Sequence, residues 1–201
     1  MDHLIEGYRR FRETEWPARR ARFEELAKNG QAPQVMVIAC SDSRVDPAMI
    51  FNTSPGEIFI VRNVANLVPP YAPDGEQHAT SAALEFGVRV LEVTELIVLG
   101  HAMCGGIHAL LHGAPAHTGD FLKPWIAIAE PAIRRVLACA PADPQTACEY
   151  EAVRQSLGNL MTFPWIAERV SDGRLRLSGM SFDIRSGILM RQRPDGTFSP
   201  A

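Results

Sequence analysis

The chain has 201 residues, 46% hydrophobic and 21% charged, the composition of one globular domain that buries its own core and needs no disulfide scaffold. A net charge of −3 and a pI near 6.1 argue against a nucleic-acid or anionic-membrane binder. No apolar run approaches the ~20 residues of a membrane span, and Met1 to Glu6 hold neither a basic nor an apolar leader, so a cytoplasmic protein without nucleic-acid or membrane partners is expected.

Residues 3–28 read as helix, interrupted around Trp16-Pro17, with Asn29-Gly30 as the stop. The arginine groups at 9–12 and 19–22 alternate with Glu6, Glu13, Glu15, Glu24 and Glu25, which is the pattern of a solvated helix face. Val35-Met36-Val37-Ile38-Ala39-Cys40 is short, continuous, apolar and rich in β-branched residues, as a buried parallel strand requires. The same form recurs at 58–61 and 96–99, with helical spacing over 78–92 between them. Strand, helix, strand predicts an α/β fold: a central, mostly parallel sheet flanked by helices. A proline-rich loop covers 66–76, and helices follow at 106–112, 120–138 and 144–170, the last interrupted at Phe163-Pro164. Residues 174–183 and 187–190 alternate around Ser186-Gly187 as a C-terminal hairpin. No repeat or linker divides the chain, so residues 1–201 are expected to form a single domain.

The four cysteines, Cys40, Cys104, Cys139 and Cys148, are expected to be reduced, which favours metal binding or catalysis over disulfides. Cys139 and Cys148 have no partner motif and read as packing residues. Cys40 and His101 stand at strand ends, where open parallel sheets bind ligands, and Cys104 follows His101 by one helical turn. Three mixed ligands would leave the fourth tetrahedral position open, the pattern of a catalytic zinc. A cysteine ending an apolar strand is also commonly no more than buried, and a catalytic pair or a chance juxtaposition is equally compatible with His101 and Cys104.

The surroundings favour chemistry. Cys40-Ser41-Asp42-Ser43-Arg44 puts an acid and a guanidinium two positions apart on a turn, and Cys104-Gly105-Gly106 offers backbone N–H groups at a helix start. A cysteine-phosphatase reading fails, because cradling a phosphate takes a longer loop before the arginine. His108 and His112 lack a third ligand and read as surface or proton-relay residues.

ACSDSRV at 39–45 and GHAMCGG at 100–106 resemble the paired CxDxR and HxxC motifs of the β-class carbonic anhydrases. Pro55-Gly56-Glu57, Arg62-Asn63-Val64-Ala65-Asn66, the segment 81–86 and Ser156-Leu157-Gly158-Asn159-Leu160 extend the resemblance from about Gln31 through the hairpin. It implies one Zn²⁺ per subunit held by Cys40, His101 and Cys104, with Asp42 and Arg44 as a dyad beside it. The implied reaction is reversible hydration of carbon dioxide to bicarbonate and a proton through a zinc-bound hydroxide.

By the same resemblance Gln31 matches the glutamine that the plant-type branch places over the substrate. Phe59, Val64 and Phe86 match pocket positions, although plant-type members often have tyrosine where Phe86 stands. The Gly105 N–H is expected to meet a substrate oxygen. Val37 replaces the tryptophan of the other branch's inhibitory bicarbonate site, which argues against that form of regulation. Residues 1–30 are expected to act as a helical dimerisation arm in a homodimer or larger homo-oligomer, with Gln31, Phe59 and Phe86 reaching a shared site. Two alternatives stay open: a CS₂ or COS hydrolase on the same scaffold, and a zinc-holding module without turnover.

Overall fold

The computed structural model describes residues 1–201. The apolar runs form β1 (Val35–Cys40), β2 (Ile58–Asn63) and β3 (Glu95–His101), and the tail forms β4 (Arg176–Phe182), β5 (Leu189–Gln192) and β6 (Phe198–Pro200). They make one sheet in the order β2-β1-β3-β4-β5-β6, parallel through β4 and antiparallel beyond it. The runs are continuous because both faces of the sheet are covered. Met36 and Ile38 pack with Leu96 and Val98 on one face, while Val37 and Ala39 pack with Ile97 and Leu99 on the other.

From β1 the chain pairs first with β2 on one side and later with β3 on the other. That reversal opens a crevice beyond the carboxyl ends of β1 and β3, where ligands bind in open parallel sheets. The registers place Cys40 opposite Asn63 and Ala39 opposite Leu99, so Cys40 and His101 emerge side by side.

The helices are α1 (Asp2–Arg10), α2 (Trp16–Asn29), α3 (Pro47–Ile50), α4 (Ala79–Glu85), α5 (Gly105–His112), α6 (Leu122–Ile126), α7 (Glu130–Ala138), α8 (Pro144–Leu160) and α9 (Pro164–Ser171). Helix α8 lies over β3 and β4, and it comes close because position 100 has no side chain: a Cβ there would meet Val153 Cγ2 at 2.7 Å.

Several expectations are refined. The interruption near Trp16-Pro17 is a π-helical turn over Phe11–Glu15 that precedes the proline, so the missing Pro17 N–H falls where the continuous helix passes from π-helical to α-helical geometry. A second π-helical turn, Phe86–Val90, completes the expected helix 78–92. The segment 120–138 is split into α6, a 3₁₀ turn and α7, with Pro131 in the first turn of α7. Strand β6 was not expected. Cys148 is fully buried as a packing residue, but Cys139 is exposed, which corrects its reading: α7 ends there and the side chain points outward.

No residue of α1, the π-helical turn or α2 is buried. Helix α2 leans on the domain through Arg22, whose Nε donates to Pro55 O at 3.2 Å, and through Leu26 over Gly56.

Strands β3 and β4 are joined by side chains as well as by their ladder, since Glu95 accepts from Ser178 Oγ at 2.8 Å and pairs with Arg176. The Arg176 hydrogen bond, against burial and with help from Ser178, holds the Glu95 carboxyl below its usual range. The unfolded chain therefore takes up this proton at higher pH than the fold does, and the stabilisation is full above about pH 4.3 and lost as pH falls towards the lowered native value. In denaturant titrations, Glu95→Gln is expected to cost about 1 kcal/mol at pH 7, and the difference from wild type should shrink at pH 3.

Candidate metal centre

Beyond Cys40 the chain turns through Ser41 to Asp46. Arg44 N donates to Asp42 Oδ1 at 3.0 Å, which closes the turn. The guanidinium then grips both carboxylate oxygens, Nε to Oδ1 at 2.8 Å and Nη2 to Oδ2 at 2.7 Å, in the bidentate geometry that planar guanidinium favours. The Arg44 side-chain bonds hold the Asp42 carboxyl far below its usual range, so it stays ionised. The same Nη2 donates to Met103 O at 3.1 Å, which ties the Cys40 turn to the segment after β3.

In that segment Met103 adopts a left-handed conformation at φ 57°, a strained geometry for a residue with a side chain. The reversal brings Cys104 back beside His101 and makes it the N-cap of α5. The Cys104 sulfur faces the N–H groups of Ile107 and Gly106.

The donor atoms of Cys40, His101 and Cys104 all lie within 4.8 Å of one another, and all three residues are buried. His101 Nδ1 is 2.9 Å from Ala102 O, which assigns the ring proton to Nδ1 and leaves a lone pair on Nε2. That Nε2 is buried without a hydrogen-bond partner, and Asp42 Oδ2 lies 4.0 Å from it. A buried, unpartnered ring nitrogen beside two sulfurs is the donor set of zinc, and these residues fit that ion. The thiols behave as a pair. A hydrogen bond from Cys104 lowers Cys40 against the effect of burial, and the same bond together with burial raises Cys104. A dication held by these residues would take the place of the proton the two sulfurs share.

Two features of the surroundings carried no clear signal in the sequence. Glu149, 3% exposed, accepts the Cys104 N–H at 2.9 Å and Gln145 Nε2 at 2.6 Å, and burial pushes its carboxyl up. Its one sequence trace is the Gln145/Glu149 spacing on α8. Trp125 Nε1 donates to Val64 O at 2.8 Å and so holds the turn Val64–Asn66, in which Ala65 and Asn66 are both left-handed. That turn lies against α5, and only glycine fits at position 106, where a Cβ would meet Ala65 Cβ at 2.9 Å and Val64 Cγ1 at 3.0 Å. At Gly105 the space is open. An apolar cavity of about 560 Å³, lined by Val64, Thr80, Phe121, Leu122 and Trp125, adjoins this wall but does not include the three donors.

The chain thus brings together Cys40, Asp42, Arg44, Val64, His101, Cys104 and Gly105. Phe59 pairs with Met36, four positions before Cys40, which is roughly 13 Å along the strand. It stacks on Phe86 at 5.8 Å, so these two rings do not line their own chain's donor cluster, and Gln31 is exposed before β1. His108 and His112 stand on α5 with ring centroids 4.4 Å apart, both exposed.

The carbonic anhydrase family model matches residues 35–189. The chain is similar to β carbonic anhydrase 3 of Arabidopsis thaliana, at 39% identity over 210 aligned residues that cover all of this chain and 80% of the relative. Among solved structures it is similar to the β-carbonic anhydrase CcaA, with a TM-score of 0.93 and 32% identity over 100% of this chain and 92% of the other. It is also similar to one of two tetrameric β-carbonic anhydrases from Sordaria macrospora, with a TM-score of 0.81 and 27% identity over 98% of each chain.

Proposed function

This chain belongs to the β-carbonic anhydrase family, and we propose from that premise that it interconverts carbon dioxide with bicarbonate and a proton at one zinc ion per subunit. The observation that carries the reading is the convergence of Cys40 Sγ, His101 Nε2 and Cys104 Sγ within 4.8 Å beside an Asp42 whose two oxygens are already engaged by Arg44. Three protein donors leave one tetrahedral position for chemistry, whereas a purely structural site fills all four.

Zinc held by Cys40, His101 and Cys104 would supply a water that ionises at about pH 7 or somewhat above, in place of about 15.7 in bulk, two thiolates making it a weaker acid than three neutral histidines would. Asp42, kept ionised by Arg44, accepts a hydrogen bond from the attacking hydroxide and turns its lone pair towards the carbon. Gly105 N–H donates to an oxygen of carbon dioxide as charge develops there. Val64 supplies apolar wall to an apolar substrate. Attack forms one C–O bond while one C=O π pair moves onto the oxygen that Gly105 N–H faces, which yields bicarbonate; the proton lost by water leaves to solvent or buffer.

We further propose that the site is completed between two copies of the chain. Phe59 and Phe86 lie too far from their own donors, and the arm formed by residues 1–30 exposes Leu4, Ile5 and Tyr8 at 63%, 47% and 58%. These apolar residues suit the face of a second copy, whose site would receive Gln31, Phe59 and Phe86. The four free cysteines suit a reducing compartment such as the cytoplasm, and no helix is long and apolar enough to cross a membrane.

Stopped-flow hydration of carbon dioxide by the zinc-loaded protein at pH 8.5, beside a chelated control, tests the reading. Turnover that disappears on chelation is expected. A zinc-loaded protein inactive with carbon dioxide would overturn it, and turnover of COS or CS₂ in its place would assign the site to those substrates.

A further inference from the structure

Arg62 belongs neither to the three donors nor to the Asp42–Arg44 dyad, yet its guanidinium is committed entirely to the turn that carries Cys40 and Asp42. It stands on β2 opposite Ala39. Nε donates to the Cys40 carbonyl at 3.0 Å and Nη2 to the Asp42 carbonyl at 2.7 Å, while Nη1 pairs with Asp46 Oδ2 at 3.3 Å. Asp46 is itself fixed, because its Oδ1 caps α3 by accepting from Ala48 N at 2.9 Å and Met49 N at 3.2 Å.

We infer that Arg62, anchored by Asp46, is a positioning residue for the proposed reaction: it clamps the carbonyls on either side of Ser41 and so fixes the Asp42 carboxylate relative to the Cys40 sulfur. This deepens the zinc carbonic anhydrase reading and rests on it. Beyond Cys40 one last backbone bond to β2, Ser41 N to Asn63 O at 2.8 Å, ends the ladder, and residues 42–46 have no regular structure to hold them. The Asp42 carbonyl receives one backbone donor, Val45 N at 3.1 Å, and the Arg62 fork supplies the rest. Arg44 orients the end of the Asp42 side chain, whereas Arg62 holds the backbone on which it is mounted. The two arginines act on different atoms of the same residue, and a planar fork reaching two carbonyls and a carboxylate together is a geometry that lysine lacks.

The test compares Arg62→Met, Arg62→Lys and Asp46→Asn with the wild-type full-length protein. Each is loaded with zinc for kinetics and with cobalt for its visible ligand-field spectrum, and metal content is measured alongside. A displaced carboxylate or thiolate is felt in turnover more than in binding, so Arg62→Met is expected to lower kcat by about 10- to 100-fold with KM changed little. Metal content should stay at one ion per chain, and the cobalt spectrum should shift. Arg62→Lys, which restores charge without the fork, should recover part of kcat, and Asp46→Asn should give a smaller loss of the same kind. Wild-type kcat with an unchanged cobalt spectrum in Arg62→Met would overturn the inference. If Arg62→Met does not fold, Arg62→Lys decides: wild-type kcat and spectrum there are equally contrary. A wild-type chain that takes up no metal would instead remove the zinc reading, and this inference with it.

Discussion

Replacing Cys40 or Cys104 by serine is expected to give a folded protein that retains little zinc and has no carbon dioxide hydration above the chelated control. Serine nearly keeps the volume of cysteine, and both sites are closed to solvent, at 5% and 1% exposure, so the change falls on the donor atom and little else. A complete zinc site is worth about 10–16 kcal/mol, so one donor of four carries roughly 3 kcal/mol, a zinc affinity weakened about 100- to 1,000-fold. Zinc per chain after dialysis, read with hydration rate and a thermal melt, checks this. The melt matters because His101→Ala, which removes a third donor of the same cluster, also opens space at a side chain 1% exposed and should destabilise as well as demetallate. The serine variants separate the two effects. Full zinc occupancy in Cys104→Ser would exclude that sulfur as a ligand.

The second large effect is expected from the dyad, with the metal retained. Arg44→Met and Asp42→Asn should each lower kcat by about 100-fold or more while zinc stays at the wild-type level, because the first removes the group that keeps the carboxylate aimed and the second replaces one of its charged acceptor oxygens with an NH2 donor. The pair works as a unit through contacts of 2.7 and 2.8 Å, so the double variant should be scarcely slower than either single one. Arg44→Lys should recover only part, since one ammonium cannot reach both carboxylate oxygens and Met103 O together. A double variant slowed by the product of the two single effects would mean that the residues act independently. The rate measurement and the metal measurement thus divide the site: the three donors move both, the dyad moves the rate alone.

The parts of this architecture that were legible in the sequence are those where residue type and position carry the physics. Buried parallel strands leave continuous β-branched runs, so β1, β2 and β3 could be read with ends within a few residues, and the placement of Cys40 and His101 at one end of the sheet was visible because both stand where such runs stop. Phe163-Pro164 marked the gap between α8 and α9 as expected.

What stayed hidden follows from atoms that carry no residue identity. The two π-helical turns differ from α-helix by one inserted residue per turn and leave no compositional mark. Strand β6 is three residues ending in proline. Glu149 looks like one more solvated acid on a helix; its burial against the Cys104 N–H arises from how α8 crosses the sheet. The Arg62 clamp closes on backbone carbonyls, which are present at every position alike. Cys139 failed for the converse reason: cysteine is usually buried, but α7 ends with this one facing outward.

The central claim is that Cys40, His101 and Cys104 together form one metal site that makes the chain an enzyme. The most direct measurement is a titration of the metal-stripped protein with zinc while carbon dioxide hydration is followed by stopped flow. Activity should start at the uncatalysed rate, rise linearly and break at one zinc per chain. Hydration by the stripped protein, or a chain that fills with zinc and stays inactive, would contradict the account.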